Sequence, residues 1–236
     1  YWEKGLPYVD SVRLSFLADA QVQFAMLRTG ELDLMQEMVP RDAAIVERQS
    51  NMKLIRQEGT RIRSFRFRVS VEPWNNKALR QAFAYATDRD TLVKVLYQGF
   101  ATPAYSITGP VYGVWYEPTF KPYEYNPQKA REKLAEAGYP RGFSYKQPCR
   151  SATFEIQWCE TLAAMFADVG IKAEIQPWLT ANYYTDFDAR KHNGPLTSSV
   201  SPRADPHQNI QRIFHSKGFS NVQDYRNSEV DRLIDE

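Results

Sequence analysis

Residues 75–99, NNKALRQAFAYATDRDTLVKVLYQG, limit more than any other stretch what this chain can fold into. Leu79, Ala82, Phe83 and Ala86 fall at i, i+3, i+4 and i+7, which puts one apolar stripe on a helix whose other face carries Lys77, Arg80 and Gln81. A stripe of that kind needs a core to pack on. Asp88 then offers a side-chain oxygen to the unpaired N–H groups of a second helix, along which Leu92, Val95 and Leu96 repeat the spacing until Gly99 permits the exit.

The longer run LRQAFAYATDRDTLVKVLYQGFATPA resembles the family 5 solute-binding proteins of ABC importers, which take up peptides, opines, glutathione and nickel chelates. Smaller matches follow in the family's order: Tyr1-Trp2, Gly30-Glu31-Leu32-Asp33, Tyr125-Asn126-Pro127 with Lys129-Ala130 and Ala137-Gly138-Tyr139, Val169-Gly170-Ile171, Asp205-Pro206, and Glu229-Val230-Asp231-Arg232-Leu233. Each is mostly structural punctuation, and the order carries the signal. The resemblance implies an α/β, periplasmic-binding-protein-like (type II) lobe. In the family the Tyr-Trp pair lies well inside the protein, so the chain is expected to be roughly its C-terminal half. Residues 1–70 would be a remnant of lobe I and 71–236 lobe II with a truncated C-terminal end, the chain crossing between lobes near 69–74.

The chain's 236 residues are enough for one large domain or two smaller ones, and 43% apolar with 25% charged residues describe an ordinary globular protein. Lys+Arg 30 against Asp+Glu 28 gives no global field for nucleic acid or an anionic membrane, so nucleic acid is not an expected partner. No apolar run reaches the about 18 residues of a membrane span, and YWEKGLPYVD lacks the basic and apolar regions of a signal peptide. Cys149 and Cys159 leave two readings open, a disulfide or two buried thiols, since bonding needs Cα atoms about 4.4–6.8 Å apart.

In chain order, residues 12–17 alternate Val12, Leu14 and Phe16 with polar residues, as a half-buried strand does. Asp19 caps a helix with Val22, Ala25 and Met26 on its stripe and Gly30 at its end; 33–36 is a short strand, and Pro40 opens the next helix. Strands are expected over 53–57 and 61–71. In the second, Arg61, Arg63, Arg66 and Arg68 form either an anion site or a solvated, salt-bridged face, and the second reading is preferred. Residues 100–125 are the least regular part, with prolines and the rings of Tyr105, Tyr112, Trp115, Tyr116, Phe120, Tyr123 and Tyr125. Such rings suit the wall of a ligand cleft, or simply pin the loop to the core. After them come a helix from Asn126-Pro127 to Gly138, a strand over 143–148, a helix over 154–169, a strand over 171–176, a helix capped by Thr180, and a strand over 196–200. This order favours an α/β lobe.

In opine- and glutathione-type members the place of residues 200–206 often reads Trp-Ser-Gly-Arg-x-Asp-Pro; here it is Val200-Ser201-Pro202-Arg203-Ala204-Asp205-Pro206. The arginine and the Asp-Pro are kept. A guanidinium holds a carboxylate in a planar fork, which suits Arg203 to an acidic ligand group, while Asp205 is placed to fix the turn. Dipeptide-binding members carry an aspartate where Ser201 and Pro202 stand, and bind the peptide carboxylate through an arginine close to Arg150. Each arginine has a structural ion pair as its alternative role. No G-x-S-x-G, H-E-x-x-H, C-x-x-C, P-loop or G-x-G-x-x-G occurs, and His192, His207 and His215 have no spacing for a metal. No enzyme activity, cofactor or metal is therefore expected.

The resemblance implies solute capture for an ABC importer, periplasmic or tethered outside the membrane. Two lobes would close over a short peptide, opine or related carboxylate and present it to the permease subunits, the binding protein itself being a monomer. Arg203 and Arg150 would anchor the carboxylate, and Tyr105, Tyr112, Trp115 and Tyr116 would supply apolar wall. The competing classes are an α/β hydrolase or transferase with dispersed catalytic residues, and a sensor or interaction domain on the same fold.

Overall fold

The computed structural model describes residues 2–17, 19–189, 194–200 and 203–236. Two compact units divide the chain, Tyr1–Ile55 and Arg56–Glu236.

In the first unit, Asp19 caps α1 (Ala20–Thr29) by accepting from the N–H groups of Gln21 and Val22, and Gly30 ends it at a φ of 80° that a side chain would strain. Pro40 opens α2 (Pro40–Val46), where its missing N–H costs nothing. Gln21 Nε2 donates to the buried Asp42 at 3.1 Å and Arg41 Nη2 donates to Gln21 Oε1 at 2.9 Å, which ties the helices together. The buried position of α1 is Phe24, with Val22 and Ala25 exposed, so the expected stripe is rotated. Residues 12–17 and 33–36 form no strand; Phe16 is 96% exposed. Alternation alone does not make a strand, because the backbone needs a paired neighbour, and this unit has none among the described residues.

The second unit is built around α3 (Lys77–Ala86). Asn76 caps it, and Ala78, Leu79, Ala82, Phe83 and Ala86 are buried along the predicted stripe. The Phe83 ring lies 4.9 Å from Phe166, 5.3 Å from Phe67 and from Tyr145, and 5.8 Å from Trp74, centroid to centroid. Asp88 caps α4 (Arg89–Leu92) as expected, but the helix continues as a π-turn over Val93–Tyr97. The extra residue in that turn rotates Val95 outward, leaving it exposed while Leu92 is buried. The helix α5 (Pro127–Glu136), capped by Asn126, buries Ala130 and Leu134.

The strands β2 (Phe143–Arg150) and β3 (Ile171–Trp178) pair in parallel across α6 (Thr153–Ala167), a βαβ unit of the expected α/β class. Gly142 and Gly170 open the strands so closely that a Cβ on Gly142 would sit 2.7 Å from the Gly170 oxygen. Cys149 and Cys159 form a disulfide between β2 and α6, with Cα atoms 6.6 Å apart. The expected strand over 61–71 is shorter: β1 (Ile62–Arg66) pairs antiparallel with β4 (Leu196–Val200), Ile62 opposite Val200 and Arg66 opposite Leu196. Residues 53–57 form no strand. Phe65 and Phe67 pack into the ring cluster of the second compact unit.

Thr180 lies in the first turn of α7 (Thr180–Asp188) and Leu179 is its N-cap, with no side-chain cap bond. Two helices follow that the alternation gave no sign of, α8 (Pro206–Phe214) and α9 (Ser228–Asp235). Asp205 accepts from the His207 N–H and Asn227 from those of Glu229 and Val230. The pair Asp205-Pro206 is thus an N-cap followed by a proline at the first helical position. No helix among the described residues is long and apolar enough to cross a membrane.

Candidate functional site

Arg203 follows β4 and precedes the α8 cap. Its N–H donates to Thr60 Oγ1 at 3.1 Å, and its carbonyl accepts from the Tyr112 hydroxyl at 3.0 Å. The backbone is therefore held on both sides while the residue itself is exposed. Tyr112 is buried in the 3₁₀ turn Pro110–Trp115, so the structure brings these two expected site residues together. The other rings have separate places. Tyr105 lies 4.6 Å from the Arg89 guanidinium, and Arg89 also donates to the carbonyls of Ala104 and Tyr123, which staples the loop 100–125 to α4. Trp115 is 65% exposed, and Tyr116 is half-buried. Ser201, Pro202 and His192 lie outside the described residues.

Arg150 is in a structural ion pair. Glu155, buried at the start of α6, accepts on one oxygen from Arg63 Nη1 at 2.6 Å and from Arg150 Nη2. The Arg150 guanidinium also lies 5.6 Å from the Tyr184 ring. Arg68 Nε donates to Asp224 at 2.7 Å, as does the Ser70 hydroxyl. The salt-bridged reading of the arginine run thus holds for Arg63 and Arg68.

It does not hold for Arg66. That side chain shares a strand face with Ser64, to which its Nε donates at 3.1 Å, and it has no carboxylate partner among the described residues. Burial first and the charge of Arg212 second pull its guanidinium down to about 10. Arg212, on α8, is lowered in turn by burial and then by the charge of Arg203, and its Nε is enclosed without a hydrogen-bond partner. Tyr183 stands near Arg66 and Arg150. Its hydroxyl donates to the Thr197 carbonyl, and burial pushes it up to about 12. Arg66 was visible as one member of an arginine run, but pattern alone does not separate it from Arg63 and Arg68. Arg212 gave no signal beyond a basic residue on an unforeseen helix.

This arrangement is a set of cations on an α/β scaffold, of a kind that can hold an anion. Comparison with known proteins defines the class. The profile of the family described as "Bacterial extracellular solute-binding proteins, family 5 Middle" matches residues 1–221, and the chain belongs to that family. The chain is similar to the glutathione-binding protein GsiB of Shigella flexneri serotype 5b, with 35% identity over 178 residues, 74% of this chain and 34% of the relative. It thus spans about a third of the length of that curated relative. Among solved structures it is similar to the binding protein AgaA of A. tumefaciens R10 in complex with agropinic acid, at a TM-score of 0.85 and 23% identity, covering 100% of this chain and 49% of that one. It is also similar to DppA of Helicobacter pylori in complex with the peptide STSA, at a TM-score of 0.80 and 24% identity, over 92% of this chain and 43% of that one. At those identities the structures show the shared fold: a type II periplasmic-binding-protein architecture.

Proposed function

We propose that the full-length protein carrying this chain is the solute-binding component of an ABC importer, and that it captures a small organic solute through a carboxylate held by Arg203. The observation that supports this most is the clamp on Arg203: Thr60 and Tyr112 fix its backbone while its guanidinium is left without a carboxylate partner among the described residues. A backbone held in that way limits where the guanidinium can reach, so part of the ordering is done before an anion arrives. Trp115 and Tyr116 supply apolar wall, Tyr105 and Tyr112 hold the loop that carries them, and Arg150 is committed to Glu155. Short peptides, opines and glutathione-like molecules all present such a carboxylate, and the named ligands of the relatives belong to these classes.

In this reading residues 1–70 belong to the first lobe and 71–236 to the second. Closure of the lobes around the solute presents it to permease subunits on the outer side of the membrane, in the periplasm, and only contacts made better in the closed form drive that closure. The role is capture without turnover, by a monomer. Native mass spectrometry of the full-length protein, purified without denaturation, tests it beside Arg203→Ala. A co-purifying small mass that is lost in the variant is the expected result. A protein that carries no such mass, or an identical one in both forms, contradicts it.

A further inference from the structure

Arg63, Arg150 and Arg203 stand at one edge of the second unit. Arg63 lies opposite Ser199 in the β1–β4 pair, next to the end where Ile62 meets Val200, and just beyond that end the Arg203 N–H donates to Thr60 Oγ1. Arg150 is the last residue of β2, paired with Trp178, the last of β3, and Glu155 joins it to Arg63. In open α/β sheets a ligand sits outside the carboxyl ends of parallel strands, the edge that these residues occupy.

What answers their charge differs. Glu155, buried in the first turn of α6, accepts on Oε1 from Arg63 Nη1 at 2.6 Å and from Arg150 Nη2. It is held there from several sides. The Cys149–Cys159 disulfide ties the end of β2 to α6 one turn after Glu155, the Arg63 guanidinium lies 4.8 Å from the Phe154 ring, and that of Arg150 lies 5.6 Å from the Tyr184 ring. Tyr97 packs on Phe154 in turn, 5.4 Å between centroids. Arg203, by contrast, has no carboxylate partner among the described residues.

A solute carboxylate brought to Arg63 and Arg150 would stand beside that of Glu155 in a partly desolvated place, where like charges repel most. Displacing Glu155 instead would strand a buried charge without its partners. Arg203 imposes neither cost. We propose that Glu155 determines specificity: the protein's own carboxylate fills the place between Arg63 and Arg150, so a solute anchored by one carboxylate at Arg203 presents an uncharged group there, and a second carboxylate is refused. This rests on the solute-capture reading and names its substrate class.

The test uses the full-length protein and two variants of Glu155. In Glu155→Ala the place of the carboxylate is vacated, and formate is expected to refill it. The variant's thermal midpoint should lie below that of wild type and rise by several degrees with formate beyond the same concentration of chloride, while wild type and the double variant Glu155→Ala/Arg150→Gln do not respond. Absence of this rescue overturns the proposal, as does a Glu155→Ala protein that folds neither with formate nor without it. Glu155→Gln keeps the shape and removes the charge. Calorimetric titration with the dicarboxylates from glutarate to suberate, beside their monoamides, is expected to show wild type binding the monoamides at least as tightly, and Glu155→Gln binding at least one diacid about tenfold more tightly than its monoamide. A wild type that prefers the diacids, or a Glu155→Gln protein that does not come to prefer them, overturns it. Failure of either arm leaves capture standing if a co-purifying mass is lost in Arg203→Ala; where no solute is captured, both readings fail whatever formate does.

Discussion

At the scale of single residues, the charge on an arginine says less than the group that meets it. Glu155 is 5% exposed and carries two guanidiniums, those of Arg63 and Arg150, on one oxygen. Glu155→Gln would leave both cations half-buried and unanswered, which costs about 3–5 kcal/mol when one partner of a buried pair is removed. Urea unfolding should show that loss, and a change below about 1 kcal/mol would mean that the pair is solvated rather than structural. Arg203 was legible in the sequence because an Asp-Pro follows it at a set distance, and Tyr112 because it lies in a run of rings without period. The split between Arg66 and its neighbours was not legible. It depends on Asp224 and Glu155, which reach the strand from far along the chain.

At the scale of elements, local signals served where an element is held by its own residues. The stripe of α3 and the caps at Asp19, Asp88 and Asn126 follow from neighbours within a few positions. Strands over 12–17, 33–36 and 53–57 were expected from alternation and do not form, because pairing is a property of two segments. The π-turn after α4 likewise has no signature in spacing.

Two tyrosines give this level its own pH dependence. Tyr183 bonds α7 to β4 through the Thr197 carbonyl, and Tyr145 donates to Gln147 within β2 at 2.9 Å. Burial raises both hydroxyls, Tyr183 to about 12, whereas in an unfolded chain they titrate near about 10. Their contribution is therefore complete below about pH 10 and is lost as the pH rises through about 12. Arg66, Arg80, Arg89 and Arg212 work in the opposite sense, since burial lowers their values and each favours the folded state as it deprotonates, so the tyrosine effect is read as a difference between wild type and a variant. Between pH 10 and 12 the thermal midpoint of wild type should drop relative to that of Tyr183→Phe, which lacks the titrating hydroxyl. An equal slope in the variant would rule Tyr183 out as its source.

At the scale of the molecule, the chain spans about a third of a curated relative and about half of a solved structure it resembles. The family was legible from ordered punctuation along nearly the whole chain, and the match over residues 1–221 rests on the same breadth. The ligand was not legible, since it is chosen by a few side chains whose grouping depends on tertiary contacts. The most direct test is a crystal structure of the full-length protein purified without denaturation. A solute carboxylate within about 3 Å of the Arg203 guanidinium is the predicted result. A bound solute with its charged groups elsewhere, and Arg203 facing water, would contradict the account.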